Sequence, residues 1–531
     1  MRDFELPGRS LAMSRNGMAA TSHPASTLAA IDVLRSGGNA MDAAIAACAV
    51  QCVVEPGSTG IGGDCFALYA PRGAAASIVA FDGAGWTPQA MTIGALRSRG
   101  VTSLERQSPH VVTVPGAVDA WCRLAADHGT MPLADLLAPA ATLAEEGYAV
   151  TPRVAADWAQ TEALLATHRG SFDTMLIDGK SPRAGSVHRQ PALAATLREI
   201  GARGKDAFYR GDIASSMVEC LRELGGLHTL DDFAQFSGEY VKPISTEFRG
   251  YRVHECPASG QGVIALLILN ILRGFDADRD PLSADRLHRE IEATRLAYSV
   301  RDAVLCDPRS GDVPVEAMLS EAFARSLRNQ IDLTTRIDAL PGYVPARHDD
   351  TVYICVVDKD RNCVSFINSI FNAFGSTIMD PRTGVMFHNR GQSFTLDEGH
   401  PNCIGARRRP MHTIIPGIVS RDDKVQMTFG VMGGHYQAMG HAHFLSKVLD
   451  YGLDMQAAIS LPRVFPRPGA DEVEAEHTLA PTVRATLASR GFEFVAPKSA
   501  IGGAQAISID WDRGVLLGAS DHRKDGCALG Y

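Results

Sequence analysis

Apolar residues recur at helical spacing through Ala25, Leu28, Ala29, Ile31, Val33 and Leu34, and the run stops at Gly37-Gly38, the residue type favoured just beyond a helix C-terminus. Asn39 stands where it can cap a second, alanine-rich helix extending to about Gln51. So many alanines suit close packing of helix on helix. The same period predicts helices over 286–303 and 315–327, and short apolar runs predict strands over 78–82 and 111–114. From residue 351 the pattern turns β-rich, with strands expected over 351–357, 362–367, 384–387, 414–419 and 425–430. A helix is expected after Gly433-Gly434, running through Phe444 and Leu449, and a terminal hairpin over 506–509 and 515–517. No internal repeat or low-complexity region stands out.

The change of pattern falls at a junction of unusual chemistry. Residues 340–346 read Leu-Pro-Gly-Tyr-Val-Pro-Ala, a composition that disfavours both helix and central strand and suits a linker or a surface loop equally. It leads through Arg347-His348-Asp349-Asp350 directly into Thr351. A cut before Thr351 would place a hydroxyl and a new α-amine on one residue, a nucleophile and its base together. On these residues alone, a threonine opening a strand is usually just a β-branched residue in a suitable place. Cys355, two alternations on, shares its sheet face and is expected in the core.

Composition narrows the choices. A chain of 531 residues, 45% hydrophobic, can bury a large core, and its length alone suggests several domains. The net charge of −9 and a single short basic cluster, Arg407-Arg408-Arg409, argue against nucleic-acid binding. No segment approaches the roughly 20 apolar residues of a membrane span, and the start shows no signal peptide, so the expected address is cytoplasmic. The 11 cysteines fit reduced, mostly buried thiols. Cys48 and Cys52 share a helix face but have no second ligand pair nearby, and of His435, His441 and His443 the closest two are two residues apart, on different faces of a helix, so no metal site is expected. Gly60-Ile61-Gly62-Gly63 lacks the full dinucleotide fingerprint and reads as a tight turn, and no cofactor is expected.

A resemblance runs through these positions in order. Residues 17–24 (Gly-Met-Ala-Ala-Thr-Ser-His-Pro), 37–44 (Gly-Gly-Asn-Ala-Met-Asp-Ala-Ala), Val54-Glu55-Pro56 and Gly60 to Asp64 resemble the amino-terminal signature of the γ-glutamyltranspeptidase family. The likeness continues at Val114-Pro115-Gly116-Ala117 and Gly129-Thr130-Met131-Pro132, then at 351–358, Arg409-Pro410, Gly433-Gly434, Gly518 to Asp521 and the ending at Tyr531. It implies an α+β fold, one interwoven four-layer αββα sandwich of the N-terminal-nucleophile hydrolase type. It implies self-cleavage between Asp350 and Thr351 into a large chain, 1–350, and a small chain, 351–531, that stay together as a heterodimer and are open to further dimerisation. Thr351 would then be the nucleophile, its freed amine the base, Gly433 and Gly434 the oxyanion donors, and Ser369 the hydroxyl that orients the nucleophile.

The departures from the family pattern concern the substrate. Where glutathione-hydrolysing members carry an arginine that clamps the glutamyl carboxylate, this chain has Ala84. A typical Asn-Gln-x-x-Asp-Phe segment becomes Asn389-Arg390-Gly391-Gln392-Ser393-Phe394, and a serine pair becomes His412-Thr413. A guanidinium at Arg390 repels an α-ammonium and attracts a carboxylate; an ion pair with Asp380 is the alternative use of that charge. Asn389, Arg390, Ser393, His412 and Thr413 are therefore the expected substrate-binding set, for a small anionic acyl group without a free amine. Branches with such changes include acylases and the oxamate amidohydrolases of purine-ring breakdown, and the chain looks more like the latter. The expected partner is a small-molecule amide, best oxamate, split to oxalate and ammonia. A γ-glutamyl hydrolase or transferase is the alternative, and a non-catalytic anion-binding relative a further one.

Overall fold

The computed structural model describes residues 8–338, 340 and 351–531. The stretch 341–350, and with it the Asp350 side of the expected cleavage site, lies outside the described residues. Among the described residues two seven-stranded antiparallel sheets are stacked. Helices cover both outer faces, giving the expected α+β αββα sandwich.

One sheet runs Ala528–Gly530, Met18–Ala20, Val352–Val357, Cys363–Ser369, Asp64–Ala70, Val79–Gly83, Glu239–Val241. The other runs Ala12–Ser14, Val515–Ser520, Gly503–Asp510, Lys424–Met432, Gly417–Arg421, Tyr251–Glu255, Ile244–Phe248. Each sheet mixes strands from before and after Thr351, so the two halves of the chain share one core. Along Val352–Val357 alternate residues part company: Ile354 and Val356 pack under the helices, while Tyr353, Cys355 and Val357 fill the space between the sheets. Cys355 is in the core as its alternation requires.

The helices Pro24–Arg35 and Ala40–Val54 lie against the Thr351-bearing sheet. Asn39 starts the second through a reciprocal capping box with Asp42, and all 15 of its residues are buried, because a helix apolar on every side must be enclosed. The opposite face is covered by Gly262–Arg273, Ala284–Val304 and Gln437–Leu449.

Three expected elements are corrected. Residues 111–114 form no strand: a 3-10 turn, Pro109–Val111, leads into an extended loop in which Val114 N–H donates to Trp86 O (2.9 Å). The N–H groups of Val111 and Val112 are taken up within the turn, by Ser108 O and Pro109 O (3.3 Å each), so no ladder forms. The helix expected over 315–327 is two, Val315–Met318 and Glu321–Arg328, because Ser320 Oγ accepts from Phe323 N–H and starts the second. The strand expected from 414 begins later, as Gly417–Arg421, directly after Pro416. The turn at Gly60 to Gly63 closes with Gly63 N–H on Gly60 O (3.1 Å). A side chain on Gly63 would collide with the Ser369 carbonyl, so glycine is what lets this turn sit against the strand that ends at Ser369.

Candidate active site

Strand pairing places Val352 opposite Asn368, and one step further Thr351 meets Ser369 at the open end of the pair. Their hydroxyls lie 3.2 Å apart. Ser369 Oγ also accepts the Phe371 N–H (2.9 Å), which holds Phe371 at φ 75, a backbone region that bulky residues rarely enter.

Arg390 opens a short 3-10 turn, Arg390–Ser393, and its guanidinium reaches back to this pair. Nη2 donates to Ser369 Oγ (3.3 Å) and Nη1 to Thr413 Oγ1 (2.7 Å), while the Phe371 ring covers the guanidinium at 4.2 Å. Thr351, Ser369, Arg390 and Thr413 are all fully buried. Asp380, the other partner considered for Arg390, instead accepts from Ser216 Oγ (2.6 Å) and Thr383 Oγ1 (2.8 Å).

Gly433 and Gly434 sit at the end of strand Lys424–Met432, where the chain turns into helix Gln437–Leu449. Gly433 has φ 114, and a Cβ there would come within 2.9 Å of Gly502 Cα, so both the turn and its packing call for glycine. Three residues that local pattern gave no reason to single out tie this turn to Arg390. Gln261 Nε2 donates to Thr413 O (2.9 Å) and Gly434 O (3.1 Å), and its Oε1 accepts from Arg301 Nη1 (3.2 Å). Arg301 in turn approaches His435 Nδ1 (3.1 Å). Gln437 donates from Nε2 to Thr351 Oγ1 (3.5 Å) and accepts Ile415 N–H at Oε1 (3.1 Å).

The remaining expected site residues lie around this group. His412 Nε2 bonds Asp64 Oδ2 (3.0 Å) and its ring packs against Phe66. Asp64 Oδ1 accepts the N–H groups of Gly85 (3.0 Å) and Gly116 (3.2 Å), which gives the last residue of the Gly60 to Asp64 motif a specific use. Asn389 bonds Asn372 and Gln392 rather than Thr351 or Ser369. Ser393 is buried and engages Asn402 through its carbonyl (2.6 Å).

Burial pushes His388 and His412 down to about 3, with the Arg390 charge adding to the effect in both. His435 is held well below its ordinary value by burial, then by Arg301 and Arg390. All three are neutral near pH 7, so positive charge in this region is carried by the arginines. His441 and His443 pair with Glu255 (2.7 Å) and Glu290 (2.9 Å). Among the described residues no three His, Cys, Asp or Glu side chains stand together as a metal-holding group. No helix among them is long and apolar enough to cross a membrane.

A αββα sandwich with a threonine at the mouth of a central strand, beside a second hydroxyl and a glycine turn, defines an amidohydrolase of the N-terminal-nucleophile type. The gamma-glutamyltranspeptidase family model matches residues 26–531. A glutathione hydrolase-like proenzyme of Bacillus subtilis is 34% identical, over 97% of this chain and 98% of its own. The oxamate amidohydrolase proenzyme of Klebsiella pneumoniae is also 34% identical, over 98% of this chain and 99% of its own. The crystal structure of a cephalosporin acylase from Bacillus halodurans superposes with a TM-score of 0.93 at 37% identity, covering 100% of this chain and 99% of that one. The chain belongs to the γ-glutamyltranspeptidase family and is an amidohydrolase.

Proposed function

We propose that the chain cleaves itself between Asp350 and Thr351, giving a large fragment of residues 1–350 and a small fragment of residues 351–531 that remain one interwoven heterodimer. Thr351 Oγ attacks the Asp350 carbonyl carbon, the amide nitrogen takes the hydroxyl proton and leaves as the new α-amine, and water hydrolyses the resulting ester. In the mature enzyme the amine accepts the Thr351 hydroxyl proton as Oγ bonds to the substrate carbonyl carbon. The C–N bond then breaks and the departing nitrogen carries that proton away as ammonia. Water adds to the acyl ester, and Oγ recovers its proton as the acid is released. The N–H groups of Gly433 and Gly434 stabilise the oxyanion in both halves, and Ser369 orients the nucleophile.

The substrate is a short anionic amide, best oxamate, yielding oxalate and ammonia. The observation that carries this reading is the line Thr351 Oγ1 to Ser369 Oγ to Arg390 Nη2, 3.2 and 3.3 Å. It puts a buried cation one hydroxyl away from the nucleophile, where charge-assisted bonding to a carboxylate is strong. Asn389, Ser393, His412 and Thr413 complete the binding region, with His412 and Thr413 acting through Asp64 and Arg390. A γ-glutamyl amide such as glutathione is the second reading, supported by the equal identity of the glutathione hydrolase-like relative.

Intact mass spectrometry of the purified protein, with ammonia release from oxamate and glutamate release from glutathione, tests the whole. We expect two fragments meeting at the 350–351 bond and ammonia from oxamate. Thr351→Ala should remain a single, inactive chain. Processing with glutathione turnover alone would keep the nucleophile and overturn the substrate. A Thr351→Ala variant that still splits at this bond would overturn the mechanism, and an uncut, inactive wild type would favour a non-catalytic anion binder.

A further inference from the structure

We propose that Gln437 is a further catalytic residue: its side-chain amide is a third donor, beside the N–H groups of Gly433 and Gly434, to the oxygen that becomes negative when Thr351 attacks. This rests on the reading of Thr351 as nucleophile. Gln437 is the first residue of helix Gln437–Leu449 and is fully buried. It follows Gly434 by three positions, so its side chain and the glycine turn share one side of the helix start. A buried amide at such a place is held there by what both its ends do.

The two ends are distinguishable by their partners. Oε1 accepts the Ile415 N–H (3.1 Å), and a backbone N–H needs an acceptor, so the other end, the donor, is the one that faces Thr351 Oγ1 at 3.5 Å. That distance is long for a bond to the resting hydroxyl. It leaves room for the tetrahedral adduct, in which the former carbonyl oxygen sits on the same carbon as Oγ1 and carries a full charge that draws the donor in. Ile415 lies two residues after Thr413, whose hydroxyl holds Arg390, so one loop sets both the amide and the cation. Gln261 fixes the arrangement from behind, since its Nε2 binds both Thr413 O and Gly434 O. The donor is therefore preorganised, with little left to order in the transition state.

Two variants of the full-length chain test this, with turnover measured on whichever of oxamate or glutathione the wild type hydrolyses and normalised to the processed fraction. Gln437→Met removes the donor. Gln437→Glu keeps the shape and the acceptor for Ile415, and donates only when protonated. We expect kcat to fall about 10²- to 10³-fold in Gln437→Met with little change in KM, the pattern of a contact made in the transition state. The deficit of Gln437→Glu should shrink as pH falls, after the pH profile of each protein is fitted with its own Thr351 amine pKa, which a carboxylate at 437 raises. A packing role would instead lower the denaturation midpoint of Gln437→Met and raise its KM along with any loss of kcat. Gln437→Met with wild-type kcat, or a Gln437→Glu deficit that does not change with pH, would overturn the proposal. Failure of the nucleophile reading shows separately, as Thr351→Ala that still processes or turns over.

Discussion

At the scale of single residues, the region around Thr351 is governed by where one positive charge is held. Arg390 is gripped by two hydroxyls and an aromatic face, and the nearby His388, His412 and His435 are kept neutral by burial and by that same charge. Arg390→Gln should therefore lower turnover of anionic amides by roughly 10- to 100-fold while leaving neutral amides much less affected. Steady-state kinetics on oxamate beside an uncharged amide reads this directly, and equal losses would remove Arg390 from carboxylate recognition. Thr351 and Gly433-Gly434 could be singled out in the sequence because they stand at positions of the family motif; on their own, a threonine opening a strand and a glycine pair are ordinary. Gln261, Arg301 and Gln437 could not. Each acts through partners far away in the chain, and a glutamine beside a helix start looks the same whether it faces solvent or a nucleophile.

At the scale of elements, the local rules were read well where both periodicity and punctuation agreed. Pro24–Arg35 has the bounds its pattern suggested, and Asn39 caps the next helix through the Asp42 capping box. Asn39→Ala should cost about 1 kcal/mol of stability. The denaturation midpoint should fall while turnover by the folded enzyme stays unchanged, since the cap lies on the outer helical layer; a loss of kcat with no change in midpoint would contradict this. Residues 111–114 went the other way, because apolar content suggested a strand while the 3-10 turn that opens at Pro109 takes up the N–H groups of Val111 and Val112 that a ladder would use. Residues 315–327 were split by a serine whose hydroxyl competes for a backbone N–H. In both cases a single side chain or ring outweighed the pattern of its neighbours.

At the scale of the whole molecule, burial on this scale makes stability depend on pH. His23, His188, His228 and His254 are pushed down to about 4 and His388 and His412 to about 3, each chiefly by desolvation, from an ordinary 6.5. Between those values the unfolded chain binds protons that the folded one does not, so this stabilisation is complete above pH 6.5 and is lost as pH falls towards the folded values. Asp82 and Glu255, shifted up by burial, act in the opposite sense but are outnumbered. The free energy of unfolding, measured by denaturant titration, should therefore drop between about pH 7.5 and about pH 5, by on the order of 1–2 kcal/mol per buried histidine, and a flat profile would show that these side chains reach water. The sequence by itself determined the family and, through its ordered motifs, the sandwich class, together with a threonine at the junction and a guanidinium at 390 where the family pattern carries a neutral residue, because motif order and residue type are properties of the chain alone. Only the tertiary structure decided what surrounds them. The pairing of Val352–Val357 with Cys363–Ser369 sets Thr351 against Ser369, and the return of residues 409–415 past residues 257–261 sets Gln261 between Thr413 and Gly434. Gln261 stands 152 and 173 residues from Thr413 and Gly434, and nothing in the local pattern records a contact that exists only once the chain has closed on itself.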